Sequence, residues 1–319
     1  MAGSLTLWSL ALLQVLVFIA GAPLLTGWIR RVRSALQNRA APPIWQPYRE
    51  LAKLFRKNVV LADEASWIFR TTPYVVLAAT VSAAAALPAV ATHLPTDAIA
   101  DVIVLVGFLA LARFFLALAA MDVGTAFGGM AASREMMVAS LAEPAMLIAV
   151  FTLSMTAGST NLSTAVGYIL HSGLVLRPAF VFTLVGLMMV AIAETGRLPV
   201  DNPATHLELT MIHEGMILEY GGRHLALIEW ASEIKLMIYG VLIADLFLPW
   251  GIATRLTVPS LLLGLIALVA KLAFWGGLLA LVETHFAKMR LFRVPEFLNI
   301  AFLLCLLGLL SHLILEVAL

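Results

Sequence analysis

The sequence predicts an all-α polytopic membrane protein, with eight transmembrane helices and amphipathic helices in its cytoplasmic loops. Three observations carry this. Of 319 residues, 62% are apolar and 12% charged, against about 25% charged in an ordinary soluble domain. Mean hydropathy is +0.99, and the apolar residues gather into runs of about 20, the length that crosses a hydrocarbon core roughly 30 Å thick. The Lys and Arg residues fall almost entirely on one side of those runs, the asymmetry that orients membrane proteins. A net charge of +1 leaves no basic excess for a nucleic-acid partner, and the composition excludes a soluble enzyme.

In order, the runs are residues 5–29, 72–91, 98–121, 138–157, 176–195, 224–250, 258–283 and 297–317. No Lys or Arg precedes the first, whereas Arg30, Arg31 and Arg33 follow it. That is the reverse of a signal peptide's charge order, so this run is expected to remain as a span. The next connection holds nine cations, Arg30, Arg31, Arg33, Arg39, Arg49, Lys53, Arg56, Lys57 and Arg70. Arg134, Arg197, Arg223, Lys288, Arg290 and Arg293 lie on the same side, with only Arg177 and Arg255 in connections on the other. Both termini are therefore expected on the outer, periplasmic side of a prokaryotic inner membrane. Residues 1–319 read as a single integral membrane domain with two sizeable cytoplasmic connections, 30–71 and 196–223. The outward connections are expected to be short or, at 158–175, polar and rich in Gly, Ser and Thr. The single cysteine, Cys305, lies in an apolar run and reads as an inert buried thiol, so redox centres are expected on other chains.

Within the first loop, Pro42, Pro43 and Pro47 make a stiff turn, and Leu51, Leu54 and Phe55 recur at helical spacing opposite charges. This predicts a short amphipathic helix along the membrane surface. Its cations either anchor the loop at lipid headgroups or form a docking surface. In the second loop, Thr205 followed by Glu208 reads as a capping box that starts a helix running to Tyr220, stopped by Gly221-Gly222. Such a helix would place Glu208 and Glu219 on one face. His206 and His213 pair in the same way, but with no HExxH and no third ligand they do not read as a zinc site.

Charges inside spans are costly and mark ion routes or internal pairs. Arg113, Glu143, Glu194, Glu229, Glu233, Lys235, Asp245, Lys271 and Glu283 fall inside or at the ends of the runs, and Asp122 closes the third. Glu229 and Glu233 share a helix face, and two neighbouring carboxylates in a low dielectric resist ionising together, which suits groups that take and release protons. Arg113, Lys235 and Lys271 read either as partners of these acids in structural pairs or as part of the same route. Asp245 and Glu316 lie nearer the outer side.

The stretch from Asn38 to Leu54, with Arg39, Pro42-Pro43, Gln46-Pro47, Glu50 and Lys53-Leu54, resembles a signature of the membrane subunit shared by respiratory complex I (its subunit 1) and energy-converting nickel-iron hydrogenases. Ser133-Arg134-Glu135 followed by Glu143-Pro144 is similar to the hydrogenase-type pattern. Ala193-Glu194, Arg197, Pro199, Asp201, Glu208-Leu209 and Glu219-Tyr220 resemble a third family segment. Residues 197–214 and 225–230 look most like the hydrogenase-4 or formate hydrogenlyase branch. Val200 stands where complex I has Phe, and Ala41 and Ala131 stand where the family commonly has Gly, departures that weigh against a quinone pocket.

The resemblance implies a non-catalytic platform beneath a soluble module, made of hydrogenase large and small subunits and iron-sulfur proteins on the cytoplasmic side. Antiporter-like membrane subunits would flank it. The nickel-iron centre and iron-sulfur clusters would sit on those partners, with no cofactor bound by this chain. Glu143, Glu194, Asp201, Glu208, Glu219, Glu229, Glu233 and Glu283 are the expected coupling route to proton or sodium translocation. Arg39, Gln46, Lys53, Arg134, Glu135 and Arg197 are the expected docking or structural polar groups. The alternatives are a quinone-chamber subunit of a complex I-like dehydrogenase and a stand-alone secondary transporter.

Overall fold

The computed structural model describes residues 2–92, 94–172, 178–201, 211–254 and 256–317. Among these, every regular element is helical: α1 (Ala2–Leu36), α2 (Gln46–Phe55), α3 (Trp67–Ala85), α4 (Val102–Asp122), α5 (Ala126–Ala157), α6 (Leu162–Ser172), α7 (Pro178–Glu194), α8 (His213–Ile217), α9 (Gly222–Phe247), α10 (Val258–His285) and α11 (Val294–His312). Each of the eight apolar runs coincides with one long helix. Six helices, α1, α3, α4, α5, α10 and α11, are long and apolar enough to cross a membrane. The described part of α7 has 17 residues, one short of that length, and α9 carries Glu229, Glu233, Lys235 and Asp245.

The position of α9 explains its charges. From Leu236 to Phe247 every residue is buried, the signature of a helix enclosed on all sides. Around it stand α1, α3, α7 and α10, while α5 and α11 pack on α7. Its polar groups therefore face protein and not lipid. At the end of the bundle remote from α2, backbone bridges join connecting segments: Ala253 N–H donates to Val90 O at 2.9 Å and Leu162 N–H to Ala100 O at 2.7 Å. Gln14 closes the same end, its amide donating to Leu87 O at 2.7 Å and its carbonyl accepting from Val90 N–H at 3.2 Å.

Several boundaries differ from the sequence expectations. α1 continues past Ile29 to Leu36, carrying Arg30, Arg31 and Arg33 on a helical stalk. α5 starts at Ala126, not near Val138, because the Thr125 side chain accepts from Gly128 N–H. The Ser133-Arg134-Glu135 stretch is thus helical. The 158–175 connection contains α6, whose Leu162, Ala165, Val166 and Ile169 are buried; a short helix with one apolar face hid among its Gly, Ser and Thr residues.

The amphipathic helix of the first loop is present as α2, with Pro47 in its first turn and Leu51 buried. Phe55 meets Trp230 edge-on at 6.1 Å, and Tyr48 donates to Ala20 O. The expected helix does not run unbroken to Tyr220: Ile212 has φ −116° and ψ −82°, and among the described residues of this stretch, 211–220, the helical ones are His213–Ile217. Glu219 therefore lies on an exposed turn, not on a helix face shared with Glu208. Thr205, His206 and Glu208 themselves lie outside the described residues. The expected glycine stop is not what ends α8, which closes at Ile217 with Leu218 right-handed; Gly222, at φ +59° against the Asn58 backbone, opens α9 instead.

Candidate functional site: a buried ion-pair hub beneath a polar cavity

α4 contributes Arg113, whose side chain is 4% exposed and surrounded by three carboxylates from two other helices. Nη1 donates to Glu143 of α5 at 2.6 Å, Nη2 pairs with Glu194 at the end of α7, and Nε lies 3.5 Å from Glu135 of α5. Lys235 of α9 adds a second cation, its Nζ 2.9 Å from Glu194 Oε2. A guanidinium can serve three acids at once because its donors are spread around a rigid plane. Two cations against three carboxylates leave the hub one negative charge in excess when all are ionised. Glu194 Oε1 is buried with no hydrogen-bond partner among the described residues, so the hub has one open acceptor. Next to it, fully buried Tyr239 donates to Met146 Sδ at 3.3 Å.

A small cavity of about 40 Å³ touches Arg113, Glu135, Glu194 and Lys235, room for about one or two water molecules. A larger polar cavity of about 370 Å³ adjoins it, walled by Arg30, Arg33, Arg197, Asp201, Glu229 and Glu233 among others. Thr195, His213 and Ser232 line both. Glu229 and Glu233 stand four residues apart on α9 in the larger space, as their spacing required, and Glu233 Oε2 is buried without a hydrogen-bond partner among the described residues. Carboxylates at the cavity are thus separated from the hub by a wall of two hydroxyls and an imidazole.

Three further ion pairs engage residues of the larger cavity's wall, Arg33, Arg197 and Asp201. Glu283, 2% exposed at its side chain, accepts from Arg197 at 2.9 Å and from Arg33 at 3.1 Å. Asp201 accepts from Lys288 at 2.8 Å and from His213 N–H at 3.2 Å. Gly196 makes this possible. At φ +59° it ends α7, its N–H bonding Ala193 O and the next N–H, from Arg197, reaching back to Ile192 O. That left-handed cap suits glycine and turns Arg197 toward Glu283.

The remaining expected residues separate from this cluster. Arg134 donates to Met211 O at 2.8 Å, bracing the segment before α8. Gln46 donates to Glu50, which also takes Arg30 at 2.6 Å. Arg39 is exposed beyond α1, and Lys53 lines an open basic depression with Arg49, Arg56 and Lys57. Lys271 lines a separate apolar cavity. Sequence reasoning missed Tyr239, Thr195 and Ser232, uncharged residues inside helical runs, and the roles of Arg30 and Arg33, whose partners lie 20 and 250 positions away.

A helical, multi-span membrane protein with an internal charge hub and an adjoining polar cavity is the class that fold and site define. The chain belongs to the NADH dehydrogenase family, whose model matches residues 8–314. It is 35% identical over 285 residues to formate hydrogenlyase subunit 4 of Escherichia coli (strain K12), covering 89% of this chain and 92% of that one. Hydrogenase-4 component C of the same organism is 33% identical, with 88% of each chain covered. NADH-quinone oxidoreductase subunit 8 of Rhodothermus marinus is more distant, at 26% identity over 287 residues, with 82% of each chain covered. The fold matches a chain of the membrane-bound sulfane sulfur reductase, an archaeal respiratory membrane complex, with TM-score 0.81, 19% identity and coverage of 96% and 99%.

Proposed function

We propose that this chain is the membrane-anchor and coupling subunit of an energy-converting hydrogenase complex of the hydrogenase-4 or formate hydrogenlyase type. It crosses the inner membrane as one domain with eight spans, α7 and α9 joining the six apolar helices, and both termini face outward. Its loop side docks a soluble redox module that carries the nickel-iron centre and iron-sulfur clusters. Antiporter-like subunits adjoin it in the bilayer. The observation that carries the reading is the shared wall of the two cavities, which puts Glu229 and Glu233 one layer of Thr195, Ser232 and His213 away from the Arg113 hub. A redox event at the docked module would change the charge or hydration of the larger cavity, and the hub would pass a proton inward.

The test is made on the complex purified with this chain tagged, assayed for nickel, hydrogen evolution and ion translocation in liposomes. Glu194→Gln, Glu143→Gln and Glu229→Gln are each expected to preserve assembly and redox turnover and to lower coupled translocation, most strongly for Glu194. Undiminished translocation in all three removes the carboxylate route. A nickel-free complex that reduces quinone instead makes the larger cavity a quinone chamber.

Docking is tested separately at the exposed cations. Arg39→Glu combined with Lys53→Glu is expected to release the soluble module at moderate salt, since rim charges act on association and its salt dependence. Retention of the module through a salt series would leave these residues as lipid anchors. Arg134 is unsuitable for this test, because its bond to Met211 O is internal.

A further inference from the structure

We propose that His213 is the proton relay between the two cavities, the side chain of their shared wall that carries a proton from Glu229 and Glu233 to the Arg113 hub. The proposal rests on the coupling role inferred above and names the group that performs its inward step.

His213 meets both spaces. It lines the small cavity together with Arg113, Glu135, Glu194 and Lys235, and the larger one together with Glu229 and Glu233. The residue is half-buried, and neither ring nitrogen has a hydrogen-bond or ion-pair partner among the described residues. Its backbone N–H, not its ring, donates to Asp201. Both nitrogens are therefore left to exchange protons with what fills the cavities.

Contacts on either side seat the residue. Two positions before it, Met211 O accepts from Arg134 of α5 at 2.8 Å. Two positions after it, Gly215 packs so closely on α5 that a Cβ there would stand 2.7 Å from the Ala131 Cβ. Ala131 is one turn from Glu135 on the same face of α5. On the α7 side, His213 Cβ lies 3.7 Å from where a Cβ on Gly196 would be, two residues past Glu194. His213 is thus held between the turn of α5 that carries Glu135 and the end of α7 that carries Glu194.

The other polar residues of the shared wall are less suited to the task. The Thr195 hydroxyl donates to Ala191 O at 2.6 Å, within its own helix. Ser232 offers a hydroxyl, which hands on a hydrogen bond but holds no added proton near neutral pH. An imidazole both takes and releases one there. The charges around it favour transfer toward the hub. On that side, Arg113 and Lys235 face Glu135, Glu143 and Glu194, one negative charge in excess, and Glu194 Oε1 is an open acceptor. On the cavity side, Arg30, Arg33 and Arg197 accompany the acids, Asp201 and Glu214 among them.

In the step, the ring takes a proton on one nitrogen from the carboxylic acid of Glu233 or Glu229, which returns to carboxylate. It gives the proton on its other nitrogen to the carboxylate of Glu194 or Glu135, which becomes the acid. The small cavity has room for the water that bridges the remaining distance. The imidazole ends as its other neutral tautomer, and a turn of the ring about the Cβ–Cγ bond resets it. One proton crosses and no other reactant is consumed.

The complex is purified intact, reconstituted in liposomes with a potential-sensitive dye and driven with reduced methyl viologen, so that charge moved is read per hydrogen evolved whichever cation crosses. His213→Ala is expected to lose most of that ratio. Imidazole added to His213→Ala is expected to restore it, whereas pyrazole, a ring of the same size with little basicity, is not. A loss that both rings restore, or that neither does, overturns the relay and makes His213 a wall residue alone. Ser232→Ala is expected to lose less; a loss as large as that of His213→Ala overturns the assignment to the imidazole. An undiminished ratio in His213→Ala alongside a loss in Glu194→Gln overturns the relay and leaves the hub's role standing. An undiminished ratio in both overturns the coupling reading and the relay with it. Should His213→Ala fail to assemble, His213→Gln decides: glutamine fills the wall but takes up no proton near neutral pH, so a lost ratio upholds the proposal and an undiminished one overturns it.

Discussion

Arg113→Met is expected to lower stability by about 3–5 kcal/mol, the usual cost of removing one partner from a buried charge cluster. Arg113 is the point where α4, α5 and α7 are joined, through Glu143, Glu135 and Glu194. Without it, Lys235 alone faces three carboxylates, and Glu194 keeps a single cation. Glu143, whose side chain is 34% exposed, can turn toward water, whereas Glu194, at 2%, cannot. Most of the penalty therefore falls on Glu194. Arg113→Lys separates charge from shape: an ammonium keeps the charge but lacks the planar fork, so its loss should be intermediate. Adding Glu194→Gln to Arg113→Met should recover part of the stability, because the stranded charge is gone. Thermal unfolding of the detergent-purified complex checks all three. A loss in Arg113→Met below about 1 kcal/mol would show that helix packing alone holds the three helices together.

Reading this chain by its hydropathy locates every long helix, because about 20 apolar residues between charges leave the backbone no other way to satisfy its hydrogen bonds in lipid. Helix ends are less legible. The Thr125 cap starts α5 inside a Gly- and Ala-rich segment that reads as a loop, and α6 lies inside a polar one. The intramembrane charges are visible as anomalies, and Glu229 with Glu233 follows from helical spacing alone. Which cation meets which acid does not follow, since Arg113 and Glu194 are 81 positions apart and Arg33 and Glu283 are 250. The capping-box reading of Thr205 failed to extend to Tyr220 for a tertiary reason. Met211 O is held by Arg134, and Asp201 accepts from His213 N–H, so side chains from elsewhere take up the backbone groups near the start of α8. Tyr239, Thr195 and Ser232 gave no sequence signal, because uncharged polar residues in apolar helices ordinarily bond their own backbone.

Glu283→Gln should cost about 3 kcal/mol, and its effect should reach the cavity. Each carboxylate oxygen of Glu283 accepts one arginine, Oε1 from Arg197 and Oε2 from Arg33. A glutamine offers one acceptor and turns an N–H₂ toward the other guanidinium, leaving two cations around a neutral amide. The side chain at 2% exposure has no solvent to compensate, but Arg33 at 33% and Arg197 at 16% retain some, which keeps the cost below that of Arg113→Met. Arg33 extends from the helical stalk of α1, and Arg197 follows the Gly196 cap, so Glu283 fixes one wall of the larger cavity to another across α10. Adding Arg33→Gln removes the surplus positive charge and should restore about 1–2 kcal/mol, a coupling that contacting charges show and distant ones do not. Hydrogen exchange at Gly196–Asp201 should rise in Glu283→Gln and fall back in the double variant. Strict additivity of the two substitutions, with exchange unchanged, would mean that the Schellman turn at Gly196 holds the cavity wall without the arginine clamp.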